Sequence, residues 1–593
     1  MLSTLLLAVV PVGFLLLITG LVILMKWNEA KALSKLQVVP HHSQATMNSV
    51  ATSPPNHDDN DQASTQVNAD SLDTPSVVRT TTSGSTTTFQ EENETCEKKK
   101  KKILYEAPEP VPVKQLVHFN ALQTAYMTFK KKNQRSVQLY ESAFRTNDFR
   151  PVLTFFGKVP IMHFASPSAA RVFFMKWKEL EKDNAIIFGK DFHKFVGINV
   201  VFANGDVWRR QRSVITPAFN EIERFMDVFV DKAQKSVSLL EDMFQEKGMN
   251  ELLISPLDVT TRLALDVLGQ TIFDVNFDYL SQIIEGPNSH AVKSQKKQQA
   301  LEAYHHVMCN LLNPERIILG KAFTSLPLET NRKMENAIQT FRNFLEDLIV
   351  EFRNRKQEEQ VYKDAKQKTL LELMVEAVDE EGAALTNEEL KNQCAIFFLA
   401  GHETTASAMA SLFYSLAKYP HVQEKLLEEI SNTFSHDENI SNYTKLQNMN
   451  YLDCVLKENM RLFPPITQLP LRVLNSSQII EGYKLPKGFV VALNIFALHR
   501  NTQVWGQDAE VFRPERFMEN LYPPFSLAYF GGGPRLCLGK QFSLLEQKSF
   551  IISLLQRFKI ELSYPDQVMS FNKTQPGLAH EEGFKLKLVK RKL

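Results

Sequence analysis

The amino-acid sequence predicts a mainly α-helical domain with a minor β-sheet region, preceded by a single transmembrane helix and a disordered tether. Long helices are indicated by apolar residues at helical spacing over 330–356 and 386–419, each beginning with a threonine followed by acidic residues. Stretches with strand character, such as 488–498, are few. The segment over 2–25 carries no charged side chain, which is typical of a helix that crosses a membrane.

The apolar N-terminal segment is followed by three basic residues, Lys26, Lys31 and Lys35. Because basic residues remain on the cytosolic side of a membrane, this order places the rest of the chain in the cytosol. A secretory signal peptide would have a shorter apolar core and basic residues before it. We therefore assign residues 1–26 to a transmembrane signal-anchor helix.

Residues 27–103 form the predicted tether. Ser, Thr, Asn, Asp and Pro dominate 39–97, and such a segment cannot bury enough apolar surface to offset the entropy lost on ordering. The tether ends in a run of lysines over 98–102, which indicates either contact with anionic lipid or a solvated charge run. The folded domain is then expected to span 104–593.

The composition of the chain excludes several classes of protein. The 68 Lys and Arg balance 67 Asp and Glu, so the net charge of +1 argues against a nucleic-acid-binding protein. The five cysteines are odd in number, scattered and without CxxC pairs, which argues against a disulfide framework and a zinc site. The 41 phenylalanines predict a large apolar core or an apolar pocket.

A glycine-rich loop, FGGGPRLCLG at 530–539, is the strongest functional signal. Its consecutive glycines let the backbone approach a flat group closely, and Arg535 offers a fork of donors to an anion. Cys537 is a soft metal ligand when it is a thiolate, and the predicted helix after it would stabilise a negative sulfur through its dipole. Considered alone, the cysteine could equally be a small buried apolar residue.

The pattern FxxGxRxCxG is met in full by Phe530, Gly533, Arg535, Cys537 and Gly539, and it resembles the haem-binding loop of the cytochrome P450 family. The resemblance covers essentially all of the predicted domain and implies a cytochrome P450-like fold. It further implies that Cys537 is the axial thiolate ligand of haem b (iron protoporphyrin IX). The other four residues would bind the cofactor, with Arg535 on a propionate.

Two further segments match family positions that contact the haem propionates. In WRRQR at 208–212, Trp208 and Arg212 are four residues apart and would share a helix face. Taken alone, this motif is more typical of an amphipathic basic helix. The second segment contains Arg472, which is the third arginine, after Arg535 and Arg212, that the resemblance places on a propionate.

The motif AGHETT at 400–405 lies inside the long apolar helix predicted over 386–419. A glycine and an acidic residue are costly there, which indicates a functional reason for them. The resemblance supplies one: Gly401 loosens the helix beside the haem, and Glu403 and Thr404 form the catalytic pair that delivers protons.

The family's buried charge triad is matched by Glu458 and Arg461 of ENMR and by Arg516 of FRPERF. Buried charges persist only when they are paired, so the resemblance implies that these three residues support the haem pocket structurally. The segment HRN at 499–501 departs from the more usual HRD through Asn501.

The resemblance implies a haem-thiolate monooxygenase that inserts one oxygen atom from O2 into a lipophilic substrate. The sequence has no dinucleotide-binding GxGxxG and no appended flavin domain. We therefore expect electrons from NADPH to arrive through NADPH–cytochrome P450 reductase, with cytochrome b5 as a second candidate donor. The predicted anchor favours a single-pass protein of the endoplasmic reticulum membrane, with the catalytic domain facing the cytosol.

Two alternatives remain open at this point. One is a haem-thiolate isomerase or dehydratase of hydroperoxides that needs no reductase, and the other is a non-catalytic membrane haem protein. Neither needs a proton-delivery pair, so the presence of both Glu403 and Thr404 argues against both.

By resemblance, the substrate pocket is lined by residues of 191–205, 394–401, 464–471 and 574–580. Candidate lining residues are mainly apolar: Phe192, Phe195, Val196, Ile198, Phe397, Phe398, Ile466 and Leu469, with Thr467 and Gln468 as polar members. We expect about half of the aromatic candidates to be core residues, since pockets mix both. Lys194 is expected to point to solvent. We therefore expect a neutral lipophilic substrate, such as a sterol, terpenoid or xenobiotic, ahead of a fatty acid.

Overall fold

A computed structural model describes most of the chain from residue 135 onward and short segments before it. The described residues are 30–31, 33–38, 109–112, 115–120, 123–124, 135–156, 159–183, 185–281, 295–311, 313, 315–316, 321–358, 368–435, 440–569, 571 and 583–591. The predicted transmembrane helix over 1–26, most of the predicted tether and the expected pocket segment 574–580 lie outside them. Of the helices formed by the described residues, none is both long and apolar enough to cross a bilayer.

The described residues are mainly helical, as predicted. The helices are α1 (Arg135–Leu139), α2 (Pro167–Met175), α3 (Ala185–Val196), α4 (Gly205–Ile215), α5 (Met226–Lys247), α6 (Pro256–Phe273), α7 (Gln295–Leu311), α8 (Lys321–Thr324), α9 (Glu329–Glu358), α10 (Leu370–Glu376), α11 (Asn387–Lys418), α12 (Pro420–Thr433), α13 (Tyr443–Gln447), α14 (Asn450–Leu462), α15 (Ile495–Leu498), α16 (Thr502–Trp505), α17 (Arg516–Glu519) and α18 (Lys540–Arg557). A π-helical turn, Tyr140–Phe144, follows α1.

The strands form three small sheets. They are β1 (Gln37–Val38), β2 (His118–Phe119), β3 (Val152–Phe156), β4 (Val159–Phe164), β5 (Leu180–Lys182), β6 (Glu251–Ile254), β7 (Arg472–Leu474), β8 (Gln478–Ile480), β9 (Tyr483–Leu485), β10 (Val490–Leu493), β11 (Phe558–Leu562) and β12 (Leu586–Lys590). The strand orders are β2-β3-β4-β10-β7-β5, β1-β9-β8 and β11-β12-β6. The stretch predicted as strand-like over 488–498 divides into strand β10 and helix α15.

Helix α11 is the central element, and it packs against α6, α9, α14 and α18. Its start is set by a capping box, in which the Thr386 side chain accepts from the Glu389 N–H while the Glu389 carboxylate accepts from the Thr386 N–H. The predicted helices over 386–419 and 330–356 are therefore confirmed as α11 and α9. Because α11 is buried along most of its length, its side chains meet residues from many other segments.

The beginning of the predicted tether packs on the folded domain. Leu36 is buried, and β1 pairs antiparallel with β9 through Val38 and Tyr483. At the other end of the intervening segment, the Val111 N–H donates to the Tyr483 hydroxyl at 3.1 Å. Residues 33–38, which the sequence assigned to a disordered tether, are therefore part of the domain, because Leu36 finds an apolar partner surface there.

Candidate functional site

The glycine-rich loop at 530–539 leads directly into helix α18. Gly533 has a φ of 60°, and a Cβ atom there would lie 2.4 Å from the carbonyl oxygen of Phe174, so a larger residue does not fit. The Cys537 N–H donates to the Phe530 carbonyl at 2.9 Å, which closes the loop. Gly539 is the N-cap of α18, so Cys537 lies just before a helix N-terminus, as the sequence predicted.

The Cys537 side chain is exposed, and its surroundings are basic. Desolvation by the surrounding protein raises the pKa of the thiol, whereas the Gly539 N–H and the charges of Arg212 and Lys182 lower it. Burial alone raises the pKa of Cys394 to about 12. Of these two cysteines, only Cys537 therefore has neighbours that stabilise a thiolate.

Arg535 is held by a tryptophan and by the backbone. Its guanidinium lies 3.9 Å from the Trp208 ring centroid, and its Nη1 donates to the Ala203 carbonyl at 2.8 Å. The Trp177 ring packs at 4.7 Å from that of Trp208, measured between centroids. Trp208 thus acts in this structure by stacking on Arg535.

Arg212 lies on the same helix as Trp208, and its Nη1 donates to the Leu536 carbonyl at 3.1 Å. The helix α4 therefore brings both predicted residues to the cysteine loop. The i,i+4 spacing predicted the shared face, and tertiary packing decided what the face contacts.

Arg472 and Lys182 complete a cluster of four cations with Arg212 and Arg535. Arg472 is buried, and its Nε and Nη1 atoms have no hydrogen-bond partner among the described residues. Desolvation and the nearby Arg535 charge lower the pKa of Arg472 to about 9. Desolvation and the charges of the neighbouring arginines also lower the pKa of Lys182. The Lys182 Nζ donates a hydrogen bond to the Val201 carbonyl.

The cation cluster fits a ligand that carries carboxylates. No ion pair joins any of the four cations to an acidic side chain in the described part of the chain. A buried cation without a counter-charge is costly, and an anionic ligand would remove that cost. Together with a cysteine that can become a thiolate, the cluster fits haem, whose two propionates need cations and whose iron needs an axial ligand.

The predicted charge triad is present in the described structure. The Glu458 carboxylate accepts from Arg461 Nε at 2.7 Å and Nη2 at 2.9 Å, and from Arg516 Nε at 2.9 Å. Arg461 and Glu458 are fully buried. Arg461 Nη1 also donates to the His499 and Ala509 carbonyls, each at 2.6 Å. The triad therefore ties α14 to the segments that precede the cysteine loop.

His499 connects the triad to that loop. Its Nε2 accepts from the Ala528 N–H at 2.9 Å, so Nδ1 carries the proton and donates to the Arg461 carbonyl at 3.1 Å. Burial and the charges of Arg461 and Arg500 hold the pKa of His499 well below its ordinary value, which keeps the ring neutral. Asn501, the departure from the usual motif, caps α16 by accepting from the Gln503 N–H at 3.0 Å.

Helix α11 carries the predicted proton-delivery pair, but Gly401 has a different role from the one expected. A Cβ atom at Gly401 would lie 2.4 Å from Leu268 Cδ1 on α6. The helix is continuous from Asn387 to Lys418, so the glycine serves close helix packing and does not interrupt the helix. The Thr404 hydroxyl donates to the Ala400 carbonyl at 2.7 Å.

Glu403 is a partly buried acid with a single strong contact from another helix. Tyr304 on α7 donates its hydroxyl hydrogen bond to Glu403 Oε1 at 2.6 Å. Desolvation raises the pKa of Glu403 to about 7, and the Tyr304 hydrogen bond acts in the opposite direction. The neighbouring His402 is buried, which lowers its pKa to about 4. An acid of this pKa can gain and lose a proton near neutral pH.

The comparisons with known proteins agree with this geometry. The family model described as Cytochrome P450 matches residues 118–588. The chain belongs to the cytochrome P450 family. It is 31% identical over 404 residues to Cytochrome P450 3A30 of Fundulus heteroclitus, covering 66% of this chain and 76% of that protein.

Two more distant relatives have similar coverage. Cytochrome P450 4V2 of Mus musculus is 28% identical over 433 residues, which cover 70% of this chain and 78% of that protein. Echinocystic acid 23-monooxygenase of Saponaria officinalis is 28% identical over 422 residues, covering 69% of this chain and 76% of that protein. The chain is accordingly a cytochrome P450 monooxygenase, a family whose haem iron is held by a cysteine thiolate.

The position of Arg472 in this P450 predicts that its replacement weakens haem binding without destabilising the haem-free protein. In Arg472→Met, loss of a charge-assisted hydrogen bond of about 1.5–3 kcal/mol should speed haem release by roughly tenfold to a hundredfold. The haem-free protein should be no less stable than the parent, because the substitution removes a desolvated cation. Haem transfer to a scavenging protein and thermal unfolding of the stripped protein measure the two effects.

The matched control is Arg209→Met on helix α4. Arg209 is exposed and pairs with Asp206 at 2.7 Å, so neither measurement should change. An unchanged rate of haem release in Arg472→Met would contradict the assignment of this arginine to a propionate.

Sequence reasoning missed three residues of this site: Lys182, Trp177 and Tyr304. Lys182 ends strand β5 and Trp177 follows helix α2, with no local pattern that distinguishes them from surface residues. Tyr304 lies on the buried face of an amphipathic helix, where no sequence feature distinguishes it from a core aromatic. Their contacts are made by residues far away in sequence, so only the tertiary structure reveals them.

Some of the residues predicted to line the pocket are core residues, and others line a cavity. Phe195 and Phe398 are core residues, each packing within about 6 Å of Phe341 and Tyr304 between ring centroids. Lys194 is exposed, as expected, and it pairs with Glu335 at 2.6 Å. The remaining predicted residues include Phe192, Val196 and Ile198, which line a cavity of about 350 Å³ beside Lys182.

Proposed function

We propose that this P450 oxidises a neutral lipophilic substrate with electrons from NADPH, delivered by NADPH–cytochrome P450 reductase. The observation that carries the proposal is the pair on α11, where an acid with a pKa near 7, Glu403, is followed by the alcohol Thr404. Oxygen activation consumes protons, whereas isomerisation or dehydration of a hydroperoxide does not need such a pair. The pair therefore favours the monooxygenase.

Cys537 is proposed as the axial ligand, with Arg212, Arg472 and Arg535 on the propionates. The haem supplies dioxygen binding and O–O bond cleavage when it is bound, and the thiolate donates electron density that favours the cleavage. The protein's part is to hold the cysteine at the start of α18 and to neutralise the propionates. Phe530 closes the loop through its carbonyl, and Trp208 orients Arg535.

The proton-delivery role falls to Glu403 and Thr404. The carboxyl group exchanges protons with solvent near neutral pH, and the hydroxyl of Thr404 passes a proton to the haem side of α11. In the structure this hydroxyl donates to the Ala400 carbonyl, so its proton must be released from that bond before it can be passed on. The charge triad of Glu458, Arg461 and Arg516 has a structural role.

The lipophilic character of the substrate is supported by the cavity of about 350 Å³ between α3 and α4. This volume is in the range of small-molecule pockets, and Phe192, Val196, Ile198 and Phe202 contribute apolar surface to it. Lys194 pairs with Glu335 and is not available for a substrate carboxylate. Lys182 also lines the cavity, but the proposal counts it with the cations that face the haem propionates, so a sterol, terpenoid or xenobiotic is proposed ahead of a fatty acid.

The cellular setting follows from the same proposal. We place the enzyme at the endoplasmic reticulum membrane with its catalytic domain in the cytosol, where the reductase and cytochrome b5 can reach it. The support is the uncharged stretch over 2–25 followed by three lysines.

Reconstitution with the reductase tests this function. The full chain, loaded with haem, should oxidise NADPH and form product when a steroid or terpenoid is added, and less when a fatty acid is added. In Thr404→Ala, haem binding should be retained, but most reducing equivalents should appear as hydrogen peroxide because the proton donor is lost. NADPH, peroxide and product are measured together.

Three results would count against the proposal. Conversion of a hydroperoxide at full rate without NADPH would favour the isomerase or dehydratase, and faster product formation with fatty acid would reverse the substrate order. Equal peroxide yield in Thr404→Ala and the parent would remove Thr404 from proton delivery. Ser441→Ala, a hydroxyl change far from α11 in sequence, serves as the control for hydroxyl loss.

A further inference from the structure

Tyr304 connects helix α7 to the proton-delivery pair. Its hydroxyl donates to Glu403 Oε1 at 2.6 Å, which is a short distance for a hydrogen bond and typical of a charged acceptor. The tyrosine ring is buried, and it packs at 4.8 Å from Phe398 and at 5.3 Å from His402, between ring centroids. Both ring partners lie on α11, Phe398 five residues before Glu403 and His402 directly next to it.

The two members of the pair are each engaged elsewhere in this structure. Glu403 is bonded to α7 through Tyr304, and the Thr404 hydroxyl is bonded within α11 to Ala400. Because the tyrosine bonds Oε1, it fixes the orientation of the carboxyl group relative to Thr404. The strength of the Tyr304 hydrogen bond then controls how readily Glu403 becomes available.

We propose that Tyr304 is a positioning residue, which holds the Glu403 carboxyl group against α7 and thereby links the position of that helix to proton delivery. This inference rests on the proposed role of Glu403. A movement of α7 that lengthens the hydrogen bond frees the carboxyl group, and a movement that restores it holds the group in place. Tyr304 lies outside all the motifs named in the sequence analysis.

The surroundings of Glu403 make the effect measurable. Among the described residues, desolvation and the Tyr304 hydroxyl are the two influences that shift the pKa of Glu403. The other titratable neighbours are the Cys309 thiol on α7, whose own pKa is raised by burial and by the Glu403 charge, and the buried His402 on α11. Because the tyrosine donates to the carboxylate, removing its hydroxyl must raise the pKa of Glu403 further.

Tyr304→Phe in the full, haem-loaded chain tests the proposal. The substitution keeps the ring packing and removes only the hydroxyl, so the carbon monoxide spectrum of the reduced protein should be unchanged. If the protonated Glu403 carboxyl group is the proton donor, the fraction of NADPH that is coupled to product should fall as the pH rises through the pKa of Glu403. The midpoint of this fall should move upward by about one pH unit in Tyr304→Phe.

A second measurement does not depend on turnover. The infrared band of the protonated carboxyl group, assigned by its loss in Glu403→Gln, should titrate in the ferric protein with the same upward shift. A residue that only packs against α11 would leave both midpoints in place. Tyr564→Phe is the matched control, because Tyr564 is 59% exposed and its hydroxyl should affect neither midpoint.

The double variant separates this inference from the proposed function. In the Glu403→Gln background, Tyr304→Phe should have no further effect on coupling, since the hydrogen bond no longer has a titrating acceptor. If Glu403→Gln changes coupling but Tyr304→Phe moves neither midpoint, the positioning role is wrong and the role of Glu403 stands. If Glu403→Gln itself leaves coupling unchanged, the proposed proton-delivery role fails, and this inference fails with it.

Discussion

Cys537→Ser is expected to abolish the strongly red-shifted Soret band of the reduced carbon monoxide complex and to reduce monooxygenase turnover to background. A serine hydroxyl at this position cannot supply the soft, electron-donating thiolate on which O–O cleavage depends. The absorption spectrum of the reduced, carbon monoxide-treated protein measures the ligand directly. Haem content by the pyridine haemochrome method shows whether the cofactor is still bound.

The other described cysteines provide the controls for this variant. Burial raises the pKa of Cys454 to about 11 and that of Cys394 to about 12, which disfavours the thiolate form at both sites. Cys309 is exposed and lies 3.3 Å from His305 Nε2, on helix α7. Cys309→Ser should therefore keep the red-shifted band. Survival of the band in Cys537→Ser would mean that another cysteine is the ligand.

Glu458→Gln should have the largest effect on stability. The glutamine has nearly the same shape, but it leaves Arg461 and Arg516 as buried cations whose carboxylate partner is gone. Breaking a buried pair in this way costs about 3–5 kcal/mol, a large part of a typical stability of about 5–15 kcal/mol. We expect a low yield of haem-containing protein and loss of the Soret signal at a clearly lower denaturant concentration.

The effect of Glu458→Gln should also reach the cysteine loop. Arg461 is held against the carbonyl of His499, and the His499 ring accepts from the Ala528 N–H at 2.9 Å, two residues before Phe530. Glu329→Gln is the control, because Glu329 forms an exposed i,i+4 pair with Lys333 at 2.8 Å and such pairs contribute little. Equal denaturation midpoints for the two variants would show that the triad is dispensable.

Features that depend on neighbouring residues were predictable from the sequence. The capping box at Thr386 and the apolar spacing after it gave α11 within one residue at each end. The loop at 530–539 and helix α18 were predicted together, because glycine conformations and helix starts are set locally. The resemblance implied that Glu458 and Arg461 of ENMR pair, and their i,i+3 spacing agrees with this, since such side chains share a helix face.

Features that depend on packing between distant segments were predicted incorrectly or missed. The sequence assigned Gly401 to a loosened helix, whereas the structure places Leu268 of α6 against it. It expected about half of the candidate pocket aromatics to be core residues but could not say which, and the structure places Phe195 and Phe398 in the core. Leu36 was placed in the tether, since a short apolar stretch does not reveal its partner surface.

The sequence by itself determined the class of this protein, because its signals are encoded in short motifs. They are a cysteine at the end of a glycine-rich loop, an acid followed by an alcohol in a long helix, and a charge triad. The tertiary structure alone decided how these parts act together. Lys182, Arg212, Arg472 and Arg535 come from four distant segments, and Tyr304 meets Glu403 across 99 positions of the chain. Local patterns reflect the backbone period of one segment, whereas a counter-charge or hydrogen-bond partner is supplied by whichever segment the fold packs beside it.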